Sequence, residues 1–343
     1  MKLATYKDGS RDGQLVVVSR DLSLAHYATG TATRMQQVLD DWNFLSPQLQ
    51  DLYVTLNQGR ARHAFAFEPR QCMAPLPRAY QWASGAACVN PAAGAGQASA
   101  ERERPAPAVP ADPTVTQGAS DDFLGPNDEA WFGSSHWGID FEAALAVITG
   151  DVLMGANADQ ALNGVRLLML ANGWALRGLE PDERARGAGL VQSRPAPAFS
   201  PVAVTPDELG DAWVRGRVNL SLQTAWNGKK VGLCDTGPGM AFHFGQLIAH
   251  LAKTRNVRAG SVVGSGAVRH PGAARGYHCI ADQRALETAD GGQARTDYMK
   301  AGDTVRIEMK GRDGLSVFGA IEQGVGGPQD LPDAATKAAQ AAD

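Results

Sequence analysis

WGIDFEAALAVITG, Trp137 to Gly150, is the stretch on which the fold turns. As an extended chain its period of two puts Asp140, Glu142 and Ala144 on one face, with Ile139, Phe141, Ala143 and Leu145 on the other. The strand predicted over 138–149 is followed by further strand signals over 218–226, 261–263, 304–309 and 316–321. Two helices interrupt the series, one over 157–174 with Asn157 as its cap and one over 240–252. Glycine-punctuated strands with few crossover helices point to a mixed, mainly β (α+β) architecture, a rolled or sandwiched sheet, and not to a doubly wound α/β fold.

Upstream, residues 1–80 read as a small N-terminal domain. Strands over 2–6 and 14–19 flank a turn at Asp8 and Gly9, and helices are predicted over 33–39 and 45–56, the second with Ser46 as N-cap and Pro47 in its first turn. The phrase APLPRAYQW over 74–82 is an extended connection. Residues 91–115 carry almost no large apolar side chain and read as a mobile loop, with helix confined to the few residues around 97–104. Residues 324–343 read as a frayed tail.

Composition narrows the function classes. With 44% hydrophobic and 20% charged residues the chain is an ordinary globular protein, and its 39 glycines and 19 prolines argue against a mostly helical one. The net charge of −4 and the lack of any Lys/Arg block exclude an electrostatic footprint for nucleic acid or an acidic membrane surface. No apolar segment follows the N-terminal charge and no eighteen apolar residues run together, so a cytoplasmic protein without a membrane span is expected. Cys72, Cys88, Cys234 and Cys279 form no CxxC pair and are expected as reduced, structural thiols.

Few residues declare chemistry by themselves. The seven histidines form no HExxH or similar cluster, and His243 and His250 share at most one helix face. Gly264-Ser265-Gly266 follows an apolar strand, where its backbone is either a tight turn or a nest for a small anion. Asp140 and Glu142 facing inward would need a cation; facing outward they are simply solvated, which is the default expectation.

Longer phrases make the sequence recognisable. MKLATYKDGSRDGQLVVVSRDL, APLPRAYQW, DDFLGP, WGIDFEA, RLLMLANGWALRGL, FSPVAVTPDELGDAW, FGQLIAHLAKTR, VVGSGAV, GYHCIAD, GDTVRIEM and FGAIEQ together resemble the fumarylacetoacetate hydrolase family, in its 2-keto-4-pentenoate hydratase-like bacterial branch. The resemblance runs over residues 1–323 and implies a small N-terminal domain (1–80), a larger β-sandwich roll (81–323) and a homodimer. It also implies a Mg²⁺ ion held by four carboxylates, which orients a dicarbonyl or 2-oxo acid. Carried onto this chain, the four positions are Ser84, Glu142, Ala144 and Gly173, so one carboxylate remains, and no Mg²⁺ or other cofactor is expected. The family's general base falls at Pro91, and its substrate-binding tyrosine, lysine and threonine fall at Thr116, Arg194 and Ala267.

Relined chemistry is the leading expectation. New imidazole and indole groups at His243, His278, Trp131, His136, Trp137 and Trp174, with Phe132, suit an emptied cavity for a flat or hydrocarbon-rich molecule. The expected activity is that of a metal-independent lyase, isomerase or cyclase acting on a small oxo or dicarbonyl compound. Its catalytic candidates are His243, His278, Glu142 and Arg194, and its substrate-binding candidates are Arg194, Gly264, Ser265, Gly266, Trp174 and Trp137. One alternative is a non-catalytic pseudoenzyme with a binding or structural role; the other is an ordinary metal-dependent hydrolase or hydratase.

Overall fold

The computed structural model describes residues 1–88, 111–187, 189–270 and 276–327. Most of the loop predicted over 91–115, including its short helix, and most of the tail predicted over 324–343 lie outside these residues.

Val165–Asn172 and Ala143–Thr149 form the antiparallel pair at the centre, with Leu168 opposite Val147 and Asn172 opposite Ala143. The helix predicted over 157–174 is corrected here: only Ala158–Leu162 is helical, capped by Asn157 Oδ1, which accepts from Gln160 N at 2.9 Å. Gly164 then ends it, where a Cβ would stand 2.4 Å from Val152 Cγ2. The run VRLLMLAN is buried on nearly every residue, and a stretch apolar on both faces carries no period by which helix and strand can be told apart.

Outward from this pair, Val262–Gly264 lies beside Ala143–Thr149, Trp82–Gly85 runs parallel to Val262–Gly264, and Val115–Gly118 closes that edge. On the other side, Ala203–Val204 links Val165–Asn172 to Lys2–Tyr6, with Lys2 opposite Val204 and Leu3 opposite Ala203. Gln14–Val18, Leu24–Tyr27 and Phe65–Ala66 continue the sheet. The small N-terminal domain thus has its predicted hairpin, and its strands extend the sheet of the larger domain.

A second sheet has the order Lys229–Asp235, Ser221–Trp226, Thr304–Met309, Ile321–Gly326 and Ala130–Trp131. It covers one face of the central pair, where Leu145, Val147, Leu168 and Leu170 share a core with Leu222, Ile307, Met309 and Ile321. The opposite face packs on the N-terminal helices: Ala146, Ile148, Leu167 and Met169 meet Met35, Val38, Leu49 and Tyr53. This is a mixed α+β fold, a small N-terminal domain and a larger sheet-rich domain around two cores that share one strand pair.

Several boundaries move: the helix predicted over 240–252 is Phe244–Leu251, the strand over 138–149 is broken at residues 141–142, and the strand over 218–226 is Arg217–Val218 followed by Ser221–Trp226. The helix predicted over 45–56 is Trp42–Asn57 and passes through Pro47, so Ser46 is no cap; Leu49, Tyr53 and Leu56 on its buried face hold it to the sheet. The strand predicted over 316–321 is Ile321–Gly326, because Ser316 makes only an isolated bridge to Lys310 and Gly319, at φ 73°, turns the chain before the ladder starts. That strand also takes residues 324–326 out of the predicted tail. Helices Glu180–Arg186 and Ile280–Gly291 went unforeseen. Among the described residues no helix is long and apolar enough to cross a membrane.

Candidate functional site

Glu142 stands in the break between Ile139–Asp140 and Ala143–Thr149. Its N–H donates to Asn172 Oδ1 (3.2 Å) and its carbonyl accepts from Gly173 N (2.9 Å), which fixes the side chain at the end of the central pair. Asp140 and Glu142 are both buried, at 0% and 8% exposure, which corrects the expectation that this face is solvated. Buried carboxylates need counter-charge and hydrogen bonds, and two arginines supply them.

Arg177 Nε donates to Asp140 Oδ2 (2.9 Å), its Nη2 to Glu142 Oε1 (2.5 Å) and its Nη1 to Glu180 Oε1 (2.8 Å). Arg194 bridges two of the same acids, Nη1 to Glu142 Oε1 (2.9 Å) and Nη2 to Glu180 Oε1 (3.0 Å). Asp140 also accepts from Ile280 N (2.6 Å) and Ala281 N (3.0 Å), capping the helix Ile280–Gly291. Burial alone would push the Glu142 carboxyl up, but the two guanidiniums outweigh it and hold it down at about 2. A group so acidic takes up no proton near neutrality, which counts against its expected role in proton transfer. Arg194, expected to anchor a ligand carboxylate, spends both of its Nη groups on two acids of its own chain.

Beside Glu142 lies a cavity of about 10 Å³, walled by Trp82, Ser84, Thr116, Gly173, Trp174 and Arg194 among others. That volume holds roughly one water. Of the expected residues it brings together Glu142, Arg194 and Trp174, with the vacated positions Ser84 and Gly173; a Cβ on Gly173 would be 3.4 Å from Glu142 Oε2. Trp174 is itself committed, its indole N–H donating to Gln323 Oε1 at 3.1 Å and its ring meeting Phe132 edge-on. Ala144 is packed in the core facing the N-terminal helices.

The other candidates stand elsewhere. His278 is buried between the strands of the second sheet, with Thr224 Oγ1 2.7 Å from Nδ1 and Cys234 Sγ 3.1 Å from Nε2. His243 caps the helix Phe244–Leu251, packed against Gly216, and its Nδ1 has no hydrogen-bond partner among the described residues. Neither imidazole lines the cavity. Trp137 packs on Gly133 in the short 3-10 turn Ser135–Trp137. Gly264 lies under the Trp82 ring, where a Cβ would be 2.4 Å from Cη2, so its lack of a side chain serves packing. Ser265 N–H donates to Leu145 O (2.8 Å) and Ser265 Oγ accepts from Leu145 N (3.1 Å), so the backbone donor and the hydroxyl of Ser265 are both engaged with Leu145.

Arg177 and Glu180 were missed by sequence reasoning. A signal existed: two acids inside an apolar strand require a cation, and WALRGLE, which pairs Ala175 with Asp140, carries the nearest one. The donor set does not suit a divalent ion. Ser84, Ala144 and Gly173 offer no anionic oxygen, Glu142 Oε1 already accepts from two guanidiniums, and no group of three His, Cys, Asp or Glu among the described residues is placed around a common point.

Residues 1–78 match the fumarylacetoacetase N-terminal domain 2 family and residues 82–326 the fumarylacetoacetate (FAA) hydrolase C-terminal family. The chain belongs to the fumarylacetoacetate hydrolase family. Among solved structures it is similar to fumarylacetoacetate hydrolase from Exiguobacterium antarcticum (TM-score 0.63, 15% identity, 95% of this chain and 99% of that one). It is also similar to maleylpyruvate hydrolase from Sphingobium sp. SYK-6 in complex with manganese(II) ion and pyruvate (TM-score 0.62, 14% identity, 95% and 99%). A curated relative, 2,4-didehydro-3-deoxy-L-rhamnonate hydrolase of Sphingomonas sp. (strain SKA58), is 25% identical over 205 residues, 59% of this chain and 63% of the relative. The chain thus spans less than two thirds of that relative's length.

Proposed function

We propose that this chain is a binding member of its family that does not run the metal-dependent reaction, a pseudoenzyme that keeps the scaffold and takes up a small anionic compound. The observation that carries this reading is the double guanidinium on Glu142: the remaining acid is neutralised from within, and the cavity beside it has room for about one water. A metal-independent lyase, isomerase or cyclase needs an acid–base group at that cavity, and neither His243 nor His278 supplies one. An ordinary metal-dependent hydrolase or hydratase needs oxygen donors that Ser84, Ala144 and Gly173 do not provide.

The test uses the full chain with and without Mn²⁺, offered maleylpyruvate, fumarylacetoacetate and 2,4-didehydro-3-deoxy-L-rhamnonate. The expected result is no turnover above the blank, no stoichiometric Mn²⁺ uptake by calorimetry, and a melting temperature unaffected by chelator. Turnover that disappears when Arg194 or Glu142 is replaced would overturn the reading, as would tight binding of one Mn²⁺ per chain.

A further inference from the structure

We propose that the cleft between the C-terminal ends of helices Glu180–Arg186 and Phe244–Leu251 binds a small organic dianion with a hydrocarbon body. It measures about 1040 Å³, a hundred times the cavity beside Glu142, and falls in the range of small-molecule sites.

Charge singles it out. Arg184, Lys253, Arg255 and His250 lie in its walls, and no Asp or Glu does among the described residues, on a protein whose net charge is −4. The other large clefts are mixed: Lys2, Arg20 and Arg312 face Asp207, Glu208, Asp211 and Asp313 in one, and Arg34 and Arg78 face Asp12, Asp40 and Asp121 in another. A third sets Lys310 and Arg312 against Asp235 and Glu308. Two of the four basic groups have acids nearby, Arg184 Nη2 at 3.2 Å from Glu180 Oε2 and His250 Nδ1 at 3.9 Å from Asp112 Oδ1. Lys253 and Arg255 have no acidic partner among the described residues and are left to attract an anion from solution.

The apolar part of the ligand follows from the same walls. Leu190 and Val191 border the cleft, and Val191 is 74% exposed, an uncovered branched side chain next to cations. A hydrocarbon body lying on these residues, with a carboxylate towards Lys253 and Arg255, satisfies both kinds of surface. Thr116 and Gly118 border this cleft and the small cavity alike, so a ligand here sits at the mouth of the family's site without entering it.

This inference rests on the binding reading above but is tested separately. Calorimetry at low ionic strength with adipate as the probe is expected to show binding to the full chain. Affinity should fall at least tenfold in Lys253→Gln/Arg255→Gln and severalfold in Arg184→Gln on the opposite wall; these exposed substitutions leave the fold intact, which a melting curve checks. The neutral analogue adipamide is expected not to bind. Undiminished affinity in the double variant overturns the proposal, as does no adipate binding, or inorganic phosphate competing as well as adipate. Turnover of an oxo acid would sink the non-catalytic reading and leave adipate binding intact, so the two failures are distinguishable.

Discussion

Replacing Arg177 with methionine is expected to destabilise the fold by about 3–5 kcal/mol, the cost of leaving a buried charge without its partner. The guanidinium reaches Asp140, Glu142 and Glu180 at once; without it Arg194 remains on the last two, with Arg184 also on Glu180. Asp140 keeps its two backbone donors at the start of Ile280–Gly291 but loses its charge partner. Urea unfolding followed by tryptophan fluorescence reads this as a lower midpoint at unchanged slope. Adding Asp140→Asn in the same background is expected to recover part of the loss, since the carboxylate left behind is what the methionine cannot serve. A loss under about 1 kcal/mol would place the network with ordinary surface ion pairs.

Between pH 6.5 and 4 two buried groups, His278 and Asp140, are expected to move the stability in opposite directions. Burial pulls the His278 imidazole down from 6.5 to about 4, so between those values the unfolded chain binds a proton that the folded chain refuses. The share contributed by His278 is therefore full above about pH 6.5 and declines as the pH falls, by about 3 kcal/mol at pH 4 for a shift of this size, while Asp140, pushed up to about 6 by burial, takes up its proton first in the folded chain and offsets part of that loss between pH 6 and 4. Glu142, held at about 2, adds its own loss only below about pH 4.5. Denaturant midpoints measured from pH 7.5 to 4 test this. His278→Asn is expected to lower stability at neutrality, because it disturbs the contacts to Thr224 and Cys234, and to make stability fall less, or rise, as the pH drops from 6.5 to 4, since the contribution of Asp140 is then unopposed. An unaltered slope in that variant would assign the acid sensitivity to another group.

The two histidines show how far residue type carries a functional reading. His243 and His278 invite a functional reading because imidazoles stand in otherwise familiar phrases, yet one begins a helix and the other joins two strands. Sequence separation says nothing about which sheet a side chain enters. Legible features had local causes: the turn at Asp8 and Gly9, the Asn157 cap, the period of two over residues 139–145, and the missing acids at Ser84, Ala144 and Gly173. Val165–Asn172 was illegible because it is buried on both faces by partners distant in the chain. Arg177 and Arg194 were illegible as a pair for a related reason, since their common purpose appears only when Asp140 and Glu142 turn out to be inside.

Because Lys2–Tyr6 is hydrogen-bonded to Ala203–Val204, the boundary near residue 80 divides the family's two halves in sequence while one ladder runs across both. A front piece grafted from a distant cousin would have to match the pleat, twist and register of its new host along that seam. A substitution on either side of the seam is therefore felt by the other, and neither portion is an interchangeable part.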